Sequence, residues 1–127
     1  MNHQHDDIRV PPAPVLPVTI YRPAASGTGF APQALLEALM DTGADATCVP
    51  LRVLTALKAQ PVGEVLVQVA DGVTRGHKTY SVELEVSGKR QMMEVVAMGD
   101  EVLVGRDLLN EFHITLDGPG RVLTIGQ

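Results

Sequence analysis

The sequence is poor in rings, in cysteine and in positive charge. It has no Trp, two Phe and two Tyr among 127 residues. A core must therefore be built from Val, Leu, Ala, Ile and Met. Cys48 is the one cysteine, so no intrachain disulfide can form, which fits a reducing compartment. Ten Lys and Arg against fifteen Asp and Glu leave a formal net charge of −5. With no basic stripe to meet phosphates, nucleic acid is not an expected partner. The same lack argues against a polybasic membrane anchor, and no apolar run approaches the length that spans a bilayer. Residues 1–10 are polar and acidic, without the cationic start and apolar centre of a signal peptide. The expectation is a soluble cytoplasmic protein.

What the chain does hold is Val and Leu in short runs, punctuated by nine Pro and twelve Gly. That pattern favours many short strands in one domain. Pro11, Pro12, Pro14 and Pro17 prevent a helix, so residues 1–12 read as a flexible tail, with His3 and His5 solvated, and residues 13–127 as the domain. Residues 15–22 alternate as a first strand. Residues 51–58 suit a helical turn stopped by Pro61. Val65, Val67 and Val69 share one face of a strand over 64–70. Asp71-Gly72 and Gly76 mark a turn, and residues 77–86 return as its partner, placing His77 on the surface. A strand over 90–98, another over 102–104 and a short helix over 106–112 follow. Residues 114–116 and 122–125 close the chain as a hairpin around Asp117-Gly118-Pro119-Gly120, with His113 at a strand start.

One stretch organises the rest: Leu39-Met40-Asp41-Thr42-Gly43-Ala44-Asp45-Ala46-Thr47-Cys48-Val49-Pro50. Apolar residues run straight into a carboxylate with no cation beside it. Such a group is costly to ionise unless hydrogen bonds or a function justify it. A second apolar run, Val102-Leu103-Val104, ends in Gly105-Arg106-Asp107-Leu108-Leu109. No Ser-His or Cys-His triad can be placed, no His/Cys cluster has zinc spacing, and no Gly-rich phosphate loop is present. No cofactor or metal is expected. Cys48 reads as a small buried hydrophobe.

In these two segments the sequence resembles the retropepsin-like aspartic proteases, over about residues 13–127. The match is to their compact single-domain bacterial and cellular branch, and the ending from Leu116 to Leu123 is similar to that branch too. The resemblance implies an all-β barrel with one short C-terminal helix, active as a two-fold homodimer. It implies a strand over 36–40 just before the Asp41 loop, although helix propensity favours a helix over 33–40. It also makes residues 64–86 a flap that folds over substrate.

The resemblance further implies roles for single residues. Asp41 would be catalytic, with Thr42 bonding across the dimer axis and Gly43 allowing close backbone approach. Ala44, Asp45, Asp71, Gly72 and Val104 would contact substrate, and Leu103, Val104 and Gly105 would pack behind the loop. Arg106 would grip Asp45 of its own chain in a bidentate pair. Only one Asp-Thr-Gly is present, so a pair of aspartates needs two chains, and the partners implied are a second copy and an extended polypeptide. The implied activity is aspartic endopeptidase cleavage. A weakly active or inactive dimeric peptide-binding module of the same fold is the alternative, given the polar, charged flap tip. A helix through 33–40 would instead favour an unrelated small β protein.

Overall fold

The computed structural model describes residues 1–6, 8–9, 11–23, 33–68 and 72–126. In chain order they form β1 (Asn2–Gln4), β2 (Val15–Tyr21), β3 (Gln33–Met40), β4 (Cys48–Val49), α1 (Leu51–Ala56), β5 (Pro61–Gln68) and β6 (Thr74–Val86). These are followed by β7 (Lys89–Ala97), β8 (Val102–Val104), α2 (Arg106–Leu109), β9 (His113–Asp117) and β10 (Val122–Gly126). Most of the loop following Pro23, and Asp71 at the expected flap turn, lie outside the described residues.

Seven strands hydrogen-bond in the order β2-β3-β8-β4-β7-β6-β5, and β2 also pairs with β6. That extra pairing, Thr19–Tyr21 against Glu83–Glu85, closes six strands into a barrel and leaves β5 outside the closure. Closure removes the open edges that a flat sheet would expose. Alternation fills the interior: Leu16, Val18 and Ile20 from β2, Val82, Leu84 and Val86 from β6, and Val102 and Val104 from β8 are all buried. A ring-poor sequence thus makes its core from branched aliphatics. On the outer surface, Tyr21 donates to Glu85 (2.9 Å) and Arg90 stacks 3.7 Å over the Tyr21 ring, stapling β2 to β6 and β7. The hydrogen bond to Glu85 pushes the Tyr21 phenol up from its ordinary value.

The strand over 36–40 is present and begins earlier, at Gln33. Its exposure alternates along the chain, and it lies antiparallel to β2 and parallel to β8. Two strand partners override a local preference for helix. Among the described residues there are two short helices, α1 where a helical turn over 51–58 was expected and α2 near the C-terminus. Pro50 starts α1, which buries Leu54, and α2 ends at Leu109, earlier than the expected 112. Residues read as a flexible tail contain β1, which pairs with β10 in a three-stranded sheet of order β1-β10-β9. The Met1 ammonium donates to the Ile125 carbonyl (3.0 Å), and Arg9 forms ion pairs with Asp6 and Glu101.

Candidate active site

The site is the turn that follows β3. Strand β3 runs beside β8 in parallel, Met40 opposite Val104, and the Asp41 amide donates to the Val104 carbonyl (2.9 Å). This delivers Asp41 at the end of a strand whose Ala38 and Met40 are buried, while Asp41 itself is half-exposed. The Gly43 amide donates to Asp41 Oδ1 (2.9 Å) and the Ala44 amide to the Asp41 carbonyl (3.2 Å). The carboxylate is therefore oriented by its own turn, and a Cβ on Gly43 would come within 3.2 Å of that same oxygen. Thr42, Gly43 and Asp45 are exposed, so one side of the loop faces outward from the single chain.

The second motif holds this loop from behind. The Arg106 amide donates to the Ala44 carbonyl (2.9 Å), and its guanidinium donates through Nη1 to the Thr42 carbonyl (2.9 Å) and through Nη2 to Asp45. Arg106 and Asp45 do pair within the chain. The fork is shared between a carbonyl and the carboxylate, however, instead of closing both arms on Asp45. Gly105 must be Gly for steric reasons. Its backbone is extended, but a Cβ there would lie 2.6 Å from both the carbonyl carbon and the oxygen of Ala46.

Two residues that sequence reasoning passed over are central here. Thr47 is fully buried, and its Oγ1 donates to Asp107 Oδ1 (2.7 Å) while accepting from the Gly105 amide (3.2 Å). The Thr47 amide donates to the other oxygen, Asp107 Oδ2 (3.0 Å). Asp107 thus binds the exit of the Asp41 loop to the start of α2. The signal available was its place right after Gly105-Arg106. Behind them Cys48 is buried, and that burial, then the charges of Asp107 and Asp41, push its thiol up from the usual value.

Val104 was expected to pack behind the loop and also to help wall a substrate pocket, and within the single chain it is fully buried in the core. A strand turns successive side chains to opposite faces, so the half-buried residue of β8 is Leu103, which had been placed behind the loop. Gly72 is exposed with a φ of +83°, a value that suits glycine at the hairpin tip. Asp71 lies outside the described residues, and Ala44 is half-exposed in the loop. Among the described residues, no group of three His, Cys, Asp or Glu could hold a metal ion. None of their helices is long and apolar enough to cross a membrane.

The family described as "gag-polyprotein putative aspartyl protease" matches residues 33–111, which run from the first residue of β3 to just past α2. The chain belongs to this family of retropepsin-like aspartyl proteases. Solved structures agree on the fold. The EIAV protease complexed with the inhibitor HBY-793 superposes with a TM-score of 0.63 at 19% identity, covering 78% of this chain and 86% of that one. A retropepsin-like aspartic protease from Rickettsia conorii gives 0.57 at 18% identity, over 99% of this chain and 97% of that one. The simian foamy virus protease gives 0.54 at 26% identity, over 76% and 92%. No curated protein sequence matches. The aspartyl protease family accounts for the pairing of the two motifs, since residues 41–47 and 105–107 form one hydrogen-bonded unit.

Proposed function

We propose that the chain is an aspartic endopeptidase that works as a two-fold homodimer, with Asp41 and the partner subunit's Asp41 as its catalytic pair. The observation that carries this is the Asp41 loop itself. One carboxylate per chain is held half-exposed at a strand end, oriented by the Gly43 amide and backed by Arg106 and Asp107. Two carboxylates brought close together do not both ionise easily, so they share a proton. The ionised one takes a proton from a water, which attacks the scissile carbonyl. The protonated one hydrogen-bonds that carbonyl oxygen and stabilises the growing charge. The tetrahedral species then collapses, a proton passes to the departing amine, and the pair again holds one proton.

The exposed hairpin β5–β6 suits the role of flap. An extended polypeptide would lie between it and the Asp41 loop, contacted strand-like through its backbone. Thr42, Gly43 and Ala44 lie beside the reacting atoms in this reading, Asp45 and Leu103 face the substrate, and Gly72 forms part of the flap tip. The symmetry also explains why the loop's outward side is left uncovered in one chain.

The test is cleavage of an unfolded protein across acidic to neutral pH, with Asp41→Asn alongside and protein concentration varied widely. Specific activity should rise with concentration, follow a bell-shaped pH profile, and fall by more than about a thousandfold in Asp41→Asn while the fold is kept. Equal cleavage by both proteins would remove Asp41 from the mechanism. Binding of a transition-state peptide analogue without turnover at any concentration would indicate the non-catalytic module instead.

A further inference from the structure

Pairing of β6 with β7 starts at Thr79 opposite Val96, and residues 74–78 pair with β5 beyond it. The hairpin therefore leaves the barrel at about Thr79. Two side chains tie its root. His77 Nδ1 lies 3.2 Å from the Ala97 carbonyl oxygen, and Thr79 Oγ1 donates to Glu94 Oε1 (2.7 Å). Opposite them, the register of β5 shifts between Pro61 and Gly63, leaving Val62 as an extra residue. A bulge of this kind bends and twists its strand. It sits against the tie, since a Cβ on Gly63 would lie 3.1 Å from Thr79 Oγ1 and 3.5 Å from Glu94 Oε1.

Ala97 links the flap root to the catalytic loop. It pairs with Val49 of β4, the strand that leaves the Asp41 loop. The Val96 amide donates to the Thr47 carbonyl (3.0 Å) and the Met98 amide to the Val49 carbonyl (3.1 Å). Hydrogen bonds thus run without a break from the loop exit through β4 and the end of β7 to His77.

We propose that His77 is a positioning residue for the flap. Its hydrogen bond to Ala97 sets the angle at which the β5–β6 hairpin leaves the barrel, with the bulge at Val62–Gly63 as the hinge. The kinetic consequence rests on the protease reading; the structural one does not. A carbonyl can only accept, so Nδ1 carries the hydrogen, and both the neutral Nδ1–H ring and the imidazolium can donate it. Asn presents its N–H at the same distance along the side chain as Nδ1, whereas Phe matches the ring and has no donor.

The experiment compares wild type, His77→Phe and His77→Asn by hydrogen–deuterium exchange and by peptide-cleavage kinetics. His77→Phe should speed amide exchange over 64–68 and 74–76 by about tenfold while β2 and β10 stay protected. KM should rise about fivefold with kcat within about twofold, because the flap binds substrate and does no chemistry. His77→Asn should behave as wild type in both. Equal flap exchange in wild type and His77→Phe overturns the proposal, as does an Asn variant as loose as Phe. If Phe loosens the whole barrel, His77→Asn decides alone: a protected flap supports the bond, and a loose flap on a protected barrel overturns it. A wild type that cleaves nothing would sink the protease reading, and the exchange data would still decide the hinge.

Discussion

Around Asp41 the chain is tied from behind by β8 and α2, whereas along the β5–β6 hairpin it is tied mainly at the root. The loop over 41–47 exchanges backbone bonds with β8 and α2, buries Thr47, and leaves no room for a Cβ at Gly105. In β5, residues 61–66 and Gln68 are exposed and only Val67 is half-buried, with Leu66 78% exposed. Both regions would meet the substrate, but they need opposite properties. A carboxylate must be held to within a fraction of an ångström to do proton chemistry. A cover must open to admit a polypeptide, and such elements come from the low-stability end of a fold.

The largest effect on stability is expected at Gly105. Gly105→Ala forces a methyl into the Ala46 backbone and should cost about 3 kcal/mol, read as a lower urea midpoint. A near-normal midpoint would show that the loop can yield, and the contrast with the flap would weaken. Thr47→Val should come next, at about 2 kcal/mol, because it strands the Gly105 amide and removes a donor from Asp107. A loss close to zero would mean that Asp107 is satisfied without Thr47.

Cys48 supplies a pH test of the same packing. Burial raises its thiol above the ordinary 9.0. The unfolded chain would therefore lose this proton first. Stability contributed by the protonated thiol is complete below the unfolded value and is lost as pH rises through the folded one, by at most about 1.4 kcal/mol per pH unit. Cys48→Ala should flatten that alkaline decline in a stability–pH curve, and an unchanged slope would place the thiol in contact with water. The smallest stability effect belongs to the flap. Leu66→Ser should stay within about 0.5 kcal/mol of wild type while altering KM, and a drop in stability comparable to that of Thr47→Val would erase the distinction between the regions.

Much of the site was legible because chemistry constrains consecutive residues. Asp41-Thr42-Gly43 and Gly105-Arg106 stand out as strings, and the pairing of Arg106 with Asp45 followed from the family resemblance. Thr47 and Asp107 did not stand out, since a buried hydroxyl and a carboxylate sixty residues apart form no local pattern. Leu103 and Val104 were not told apart, because three apolar residues in a row do not say which face is which. The helix-favouring run over 33–40 hid its alternation, as Ala34, Leu35 and Leu36 look equally apolar until the fold packs Ala34 and Leu36 against the core and leaves Leu35 exposed.

The sequence by itself determined the family, the single aspartate of the site and the aliphatic make-up of the core, because each depends on residue type or short-range order. Tertiary structure decided the rest. It made residues 33–40 a strand by flanking them with two others, turned Val104 inward and Leu103 outward, and paired β1 with β10. It also set His77 against Ala97 and the bulge before Gly63 at the base of the β5–β6 hairpin. Those outcomes depend on hydrogen bonds and burial between segments far apart in the chain, and no local propensity encodes which partner a strand will meet.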